Sequence, residues 1–117
     1  MSGADRDKTR IQHVLQAIAY VEEFVKDSTP KLFVSDYLLQ PAVVRQFEII
    51  GEAVGNISEE IKEKFPEIEW NEIKGFRNFL IHEYFRVDSI ELWKTIEEDL
   101  PSLKENLNQI LDEHFNK

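Results

Sequence analysis

The chain has 117 residues, of which 42% are hydrophobic and 32% are charged, a balance typical of one soluble globular domain. It contains no cysteine, which excludes disulfides and thiolate metal sites and suits a reducing cytoplasm. The net charge of -9 excludes a uniformly basic nucleic-acid binder, so any contact with nucleic acid must depend on a local basic patch.

The chain shows no sign of a membrane segment or a secretion signal. No apolar run approaches the roughly 18 residues that a membrane helix needs, and no signal peptide precedes the first amphipathic stretch. We therefore expect a cytoplasmic protein in which residues 1–117 form a single domain and residues 1–4 form a flexible tail.

The first predicted element is an amphipathic helix. Apolar residues recur at steps of three and four from Ile11 to Val25, with polar residues on the opposite side. Asp5 or Asp7 is expected to cap this helix at its start. His13 and Tyr20 lie off the apolar stripe, so we expect both at the surface or in an interface.

The next predicted elements are a short helical segment and a second long helix. Residues 32–39 are too apolar for a free linker and are expected to pack against the core, and Pro41 fits the first turn of the helix that follows. Gly51 and Gly55 leave this helix thin, which favours the close approach of another backbone. Its expected core seam consists of Val43, Phe47, Ile50, Val54 and Ile57.

The remaining pattern completes a helical bundle. Asn56 and Glu59 resemble a capping box that opens a short helix, and residues 88–91 resemble a second one that opens the last helix. The apolar repeat of the last helix keeps its phase across Pro101, which favours a kink over a turn. We therefore predict an all-α fold, an antiparallel four-helix bundle with a short extra helix and a proline-kinked C-terminal helix.

The central stretch, residues 75–85, combines apolar residues on several helical faces with four polar side chains. These are Arg77, Asn78, His82 and Tyr84. A polar group buried without a partner costs about 1–3 kcal/mol, so such residues either pair within the core or form a site. Four of them within eight positions favour a site.

Helix geometry limits how these side chains can meet. On an ideal helix Arg77 and Tyr84 project in nearly the same direction, whereas His82 points about 140° away from Arg77. Arg77 and His82 could converge if the arginine curls round, if the helix loosens, or if a two-fold dimer brings two copies together. We favour the dimer, because it also explains why the helix is apolar on so many sides.

The residue types favour RNA chemistry without a metal. The sequence has no glycine-rich phosphate loop, and its three histidines do not have the spacing of metal ligands. A histidine can move protons near neutral pH, and an arginine can hold phosphate oxygens. Together they suit attack of a ribose 2′-hydroxyl on the adjacent phosphate, a nucleophile that DNA lacks.

Residues 77–84 read Arg-Asn-x-x-x-His-x-Tyr, which resembles the signature of the HEPN superfamily and specifically of its HepT-like toxins. The resemblance implies a helical homodimer that acts as a metal-independent endoribonuclease without a cofactor. In it Arg77 and His82 would be catalytic and Asn78 would orient them. Further stretches that resemble the family are residues 42–53, 65–70 and 87–101.

The resemblance also implies regulation and partners. Tyr84 corresponds to the tyrosine that receives AMP from a cognate minimal nucleotidyltransferase, the antitoxin of a type VII toxin–antitoxin pair. Such a modification adds bulk and negative charge where an RNA phosphate should bind. We expect Lys74 to add to the basic patch for RNA, and we expect no DNA, membrane or metal partner.

Two other functions remain open at this stage. The chain could be a non-catalytic partner subunit of the nucleotidyltransferase, in which Arg77 and His82 bind a nucleotide, and the acidic charge favours this slightly. It could also be a helical scaffold in which the motif residues only satisfy one another.

Overall fold

The computed structural model describes residues 2–74 and 88–116, and within these ranges every regular element is helical. The predicted all-α class is therefore confirmed. The helices are α1 (Gly3–Val25), α2 (Pro30–Val34), α3 (Leu39–Gly55), α4 (Glu59–Lys64), a helical segment at residues 70–74, α5 (Ser89–Lys94) and α6 (Leu100–Ile110).

The core lies between α1, α3 and α6. α1 packs along α3 and also contacts α6, while α2 packs on α5. The predicted α3 seam is confirmed, because all five of its residues are buried, and burying a large aliphatic side chain stabilises the fold by about 1.5–3 kcal/mol. His13 and Tyr20 are exposed, as predicted.

The C-terminal helix continues through its proline. Pro101 has no N–H to donate, and a π-helical turn at Thr95–Asp99 precedes it, with the Leu100 N–H donating to the carbonyl of Thr95. The π-helical turn accommodates the missing N–H of Pro101. The apolar residues before and after the proline therefore stay on the same face of the helix. Asp88 caps the start of α5, since its Oδ1 accepts from the Ile90 N–H at 2.8 Å, as the sequence predicted.

The predicted cap of α1 is wrong. The helix begins at Gly3, inside the segment expected to be a tail, and Ser2 is its cap. The Ser2 hydroxyl oxygen accepts from the Asp5 N–H at 3.1 Å, which places Asp5 within the first turn. Because a serine one step outside the helix satisfies a free N–H, no aspartate is needed in that role.

The second predicted cap is also wrong, for a reason that involves Asp7. Ser58, and not Asn56, caps α4, and Asn56 instead ends α3. Asp7 is buried on α1, and its Oδ1 accepts from the Ser58 N–H at 2.9 Å. The Ser58 hydroxyl donates to Asp7 Oδ2 at 2.6 Å. The carboxylate therefore joins α1 to the start of α4.

Asp7→Ala is expected to lower the free energy of unfolding by about 1–3 kcal/mol, because it leaves the Ser58 N–H without its acceptor in a partly buried place. Thermal or urea denaturation measures this. The matched control is Asp27→Ala, an exposed aspartate just after the same helix, with an expected change within about 0.5 kcal/mol. Equal losses for both variants would show that the bond to Ser58 does not stabilise the fold.

Residues 32–39 pack less completely than the sequence predicted. Phe33 is fully buried, and its ring lies 5.3 Å from that of Trp93, so the short helix is confirmed. Leu32, Tyr37 and Leu38, however, are 56%, 78% and 89% exposed. Leu32 stays outside because α2, with five residues, can turn only one face to the core, whereas Tyr37 and Leu38 lie on the turn between α2 and α3.

Candidate functional site

Most of the predicted site lies outside the described residues. This applies to Arg77, Asn78, His82 and Tyr84. Lys74 is described, and it is an exposed residue at the end of the helical segment 70–74, three positions before Arg77. The structure therefore describes residues 65–74, which lead to the motif and are called the approach below, together with the surfaces beside them.

A buried tryptophan fixes this approach. Trp70 opens the helical segment, and its indole N–H donates to the carbonyl of Phe65 at 3.0 Å in a buried position. The neighbouring Ile68 is also buried, and the carbonyl of Glu69 accepts from the N–H of Ile73 at 3.2 Å. The chain that leads to the motif is therefore anchored in the core.

Lys74 lies against the thin side of α3. A Cβ atom built on Gly55 would lie 3.6 Å from Cδ of Lys74 and 3.7 Å from its Cγ and Cε. The close neighbour of this glycine is thus a lysine side chain, whereas the sequence predicted another backbone. The spacing of glycines in the sequence shows where a helix lacks side chains, but it cannot show which part of the chain packs against that place.

A shallow cavity of about 210 Å³ opens beside the lysine. It is lined by Gly51, Glu52, Gly55, Asn56 and Lys74. Among the described residues, no carboxylate lies within ion-pair distance of Lys74. Five other lysines do form ion pairs, namely Lys26, Lys62, Lys64, Lys94 and Lys104. Lys74 therefore brings a positive charge to this cavity that a ligand could use.

The other side of the approach is acidic. An open cavity of about 470 Å³ lies between α3, residues 67–73 and the C-terminal helix. Its floor is apolar, and its acidic rim consists of Glu67, Glu69, Glu72 and Asp99. Because Glu72 and Lys74 are two positions apart on a helix, they face nearly opposite directions. The positive and negative sides of the approach are thereby separated.

A hydrogen bond, desolvation and repulsion among these acids raise the pKa values of two of them. A hydrogen bond with Glu69 and then the charge of Glu69 raise the pKa of Glu72. Desolvation, followed by the charges of Glu98 and Glu69, raises the pKa of Asp99. This cluster could not be predicted from the sequence, because Asp99 lies far along the chain from the three glutamates. A phosphate would be repelled on this side, whereas the cavity beside Lys74 is lined by one basic and one acidic residue, Lys74 and Glu52.

No group of three or more His, Asp or Glu residues in the described part of the chain is placed to hold a metal ion. In residues 2–74 and 88–116, no helix is long and apolar enough to cross a membrane.

Most of the chain matches a known family. The profile described as "Ribonuclease HepT-like" matches residues 14–110, which run from within α1 to the end of α6 and include the motif. The chain belongs to the HepT-like family. The resemblance that the motif suggested is thereby confirmed.

Relatives of this HepT-like chain have names that refer to ribonucleases. It is 45% identical over 97 residues to "Probable ribonuclease HepT" of Thermococcus cleftensis, covering 83% of this chain and 88% of that protein. It is 41% identical over 100 residues to "Putative RNase MJ1380" of Methanocaldococcus jannaschii, covering 86% of this chain and 92% of that protein.

A third relative is longer. This is "Gamma-glutamylcyclotransferase and putative RNase MJ0434" of Methanocaldococcus jannaschii, which is 41% identical over 106 residues. The match covers 91% of the HepT-like chain but only 48% of that protein, so the chain spans about half its length. No solved structure matches the chain significantly.

Proposed function

We propose that this HepT-like chain is a metal-independent endoribonuclease and the toxin of a toxin–antitoxin pair. The proposal is carried by membership of a family described as ribonuclease-like, together with Arg77, Asn78 and His82 at the motif positions. The relatives that are named as ribonucleases match over more than four fifths of this chain.

The proposed reaction uses the RNA's own nucleophile. The 2′-oxygen attacks the adjacent phosphorus, a 2′,3′-cyclic phosphate forms, and the bond to the 5′-oxygen breaks. His82 removes or supplies a proton, and Arg77 holds the phosphate oxygens as charge develops. Asn78 orients these two side chains, and Lys74 binds RNA phosphate. Two copies of the chain supply Arg77 and His82 to a shared cleft.

The proposed control is covalent. A cognate nucleotidyltransferase, the antitoxin, transfers AMP from ATP to the hydroxyl of Tyr84, and pyrophosphate leaves. A charged group and a nucleoside are then attached beside the catalytic residues, where the substrate phosphate should bind. The partners are therefore a second copy of the chain, RNA and the nucleotidyltransferase.

Incubation of the purified protein with RNA in the presence of EDTA tests this function. We expect cleavage of a single-stranded RNA, and we expect no cleavage of the DNA of the same sequence or of RNA with 2′-O-methyl groups, because both lack the nucleophile. Intact RNA after incubation, or equal cleavage of the methylated RNA, would contradict the proposed reaction.

The second candidate function is a nucleotide-binding partner subunit that does not cleave RNA. The net charge of -9 and the acidic rim around Glu72 and Asp99 favour it, since both disfavour a long polyanion such as RNA more strongly than a single nucleotide. Titration calorimetry with ATP and with methylated RNA separates the two functions. Tight binding of ATP without RNA turnover would favour the partner subunit.

A further inference from the structure

We propose that Gly55 is a positioning residue for Lys74 and that it holds the lysine where its ammonium group binds a phosphate of the RNA flanking the cleaved bond. The inference rests on the proposed ribonuclease function and goes one step further. It gives a role to Gly55, a helix residue outside the motif, and it predicts that RNA binds on the Lys74 side of the approach.

The contact between Gly55 and Lys74 is the first observation. Three carbon atoms of the lysine stem lie 3.6–3.7 Å from the place of a Cβ on Gly55. A methyl group at this place would make ordinary van der Waals contact, but any longer side chain would occupy the space of the stem. Because the aliphatic part of Lys74 already packs on α3, the side chain loses less conformational entropy when its ammonium group binds a ligand.

The charges around the approach are the second observation. The 210 Å³ cavity is lined by one basic and one acidic residue, Lys74 and Glu52, and no described carboxylate lies within ion-pair distance of Lys74. Glu69, Glu72 and Asp99 line the cavity on the other side, which has no basic residue among its described lining. In a chain with a net charge of -9, an RNA strand is therefore repelled less on the Lys74 side than on the acidic side, and Lys74 is the group there that can bind a phosphate.

The position of Lys74 in the chain is the third observation. Arg77 lies three positions after Lys74, and three residue-to-residue steps span at most about 11 Å. The flexible side chain of Lys74 extends this distance further. Lys74 can therefore bind a phosphate next to the one that Arg77 holds. This contact contributes affinity for RNA and takes no part in the cleavage reaction.

The first test follows the lysine without any RNA. Reductive methylation with ¹³C-formaldehyde gives each lysine a dimethylamino NMR signal, and Lys74→Arg assigns that of Lys74. We expect Gly55→Leu to shift this signal towards the free-lysine position and Gly55→Ala to shift it much less, because only leucine displaces the stem. An unchanged Lys74 signal in Gly55→Leu would overturn the positioning role, whatever the protein does to RNA.

The second test measures kinetics and binding. We expect Gly55→Leu and Lys74→Ala each to raise KM for RNA about fivefold with little change in kcat, and to reduce the salt dependence of binding by about one phosphate contact. The double variant should be no worse than Lys74→Ala alone, because Gly55 acts through Lys74. Lys31→Ala, which removes an equal charge from α2, is the matched control and should change KM less than twofold.

The outcomes separate the two proposals. If the wild-type protein cleaves RNA but the effects of Gly55→Leu and Lys74→Ala add, the inference is overturned and the ribonuclease function stands. A loss of kcat at unchanged KM would likewise overturn it. If the wild-type protein neither cleaves nor binds RNA, the proposed function fails and the phosphate contact fails with it, whereas the NMR result still decides whether Gly55 places Lys74.

Discussion

His82→Ala is expected to reduce RNA cleavage in EDTA by about 10²–10⁴-fold, which is the usual contribution of a general acid or base. An imidazole titrates near neutral pH, whereas a methyl group can neither accept nor donate the proton of the 2′-hydroxyl. Single-turnover cleavage of a fluorescent RNA measures the loss, and the thermal unfolding midpoint shows whether the variant remains folded.

The matched control for this loss is another histidine of the same chain. His13 is exposed on α1, outside the motif, and His13→Ala is expected to cleave RNA at the wild-type rate. Cleavage by His82→Ala at the rate of His13→Ala would remove His82 from the mechanism. Loss of activity together with loss of the folded state would assign His82 a structural role.

Addition of AMP to Tyr84 is expected to suppress RNA cleavage by about 10²–10³-fold, comparable to the loss of a contact to the transition state. We expect the added phosphodiester to repel the substrate phosphate and the nucleoside to hinder access of RNA to the proposed site. Tyr84→Phe should retain cleavage but escape inhibition by the nucleotidyltransferase and ATP. Intact-mass spectrometry and the cleavage assay, run on the same samples, measure both effects.

Exposed tyrosines provide the control for this modification. Tyr20 and Tyr37 are both accessible, with Tyr37 on the turn between α2 and α3. Tyr37→Phe should still be modified and inhibited as the wild type is. Modification of Tyr84→Phe to the wild-type extent, or modified protein that cleaves RNA at full rate, would contradict the proposed control.

The buried seams could be predicted because they follow local periodicity. A helix places positions three and four residues apart on one face, so Val43, Phe47 and Ile50 had to face the same way, and all three are buried. The same reasoning correctly carried the last helix through Pro101. The helix caps were harder, because several neighbouring polar residues could satisfy the same free N–H groups. Ser2 and Ser58 cap α1 and α4 in place of the predicted residues.

The parts that could not be predicted depend on contacts between distant residues. Asp7 bonds to Ser58, and Asp99 faces Glu69, and nothing in the local sequence relates the members of either pair. For Gly55 the sequence indicated a close neighbour, but whether that neighbour is a backbone or a lysine depends on tertiary packing. The candidate catalytic residues could be proposed because their chemistry is concentrated in one short motif, and they stay predictions, since Arg77, Asn78 and His82 lie outside the described residues.

The central claim is that Arg77 of one subunit and His82 of the other form one catalytic pair, and mixing two inactive variants tests it most directly. Arg77→Ala and His82→Ala homodimers each lack one partner of every pair. After unfolding and joint refolding, half of the dimers are mixed, and each mixed dimer retains one intact pair of two. The mixture should regain about a quarter of wild-type RNA cleavage. A mixture that forms mixed dimers, shown by differential tagging, yet remains as inactive as its components would contradict the shared site.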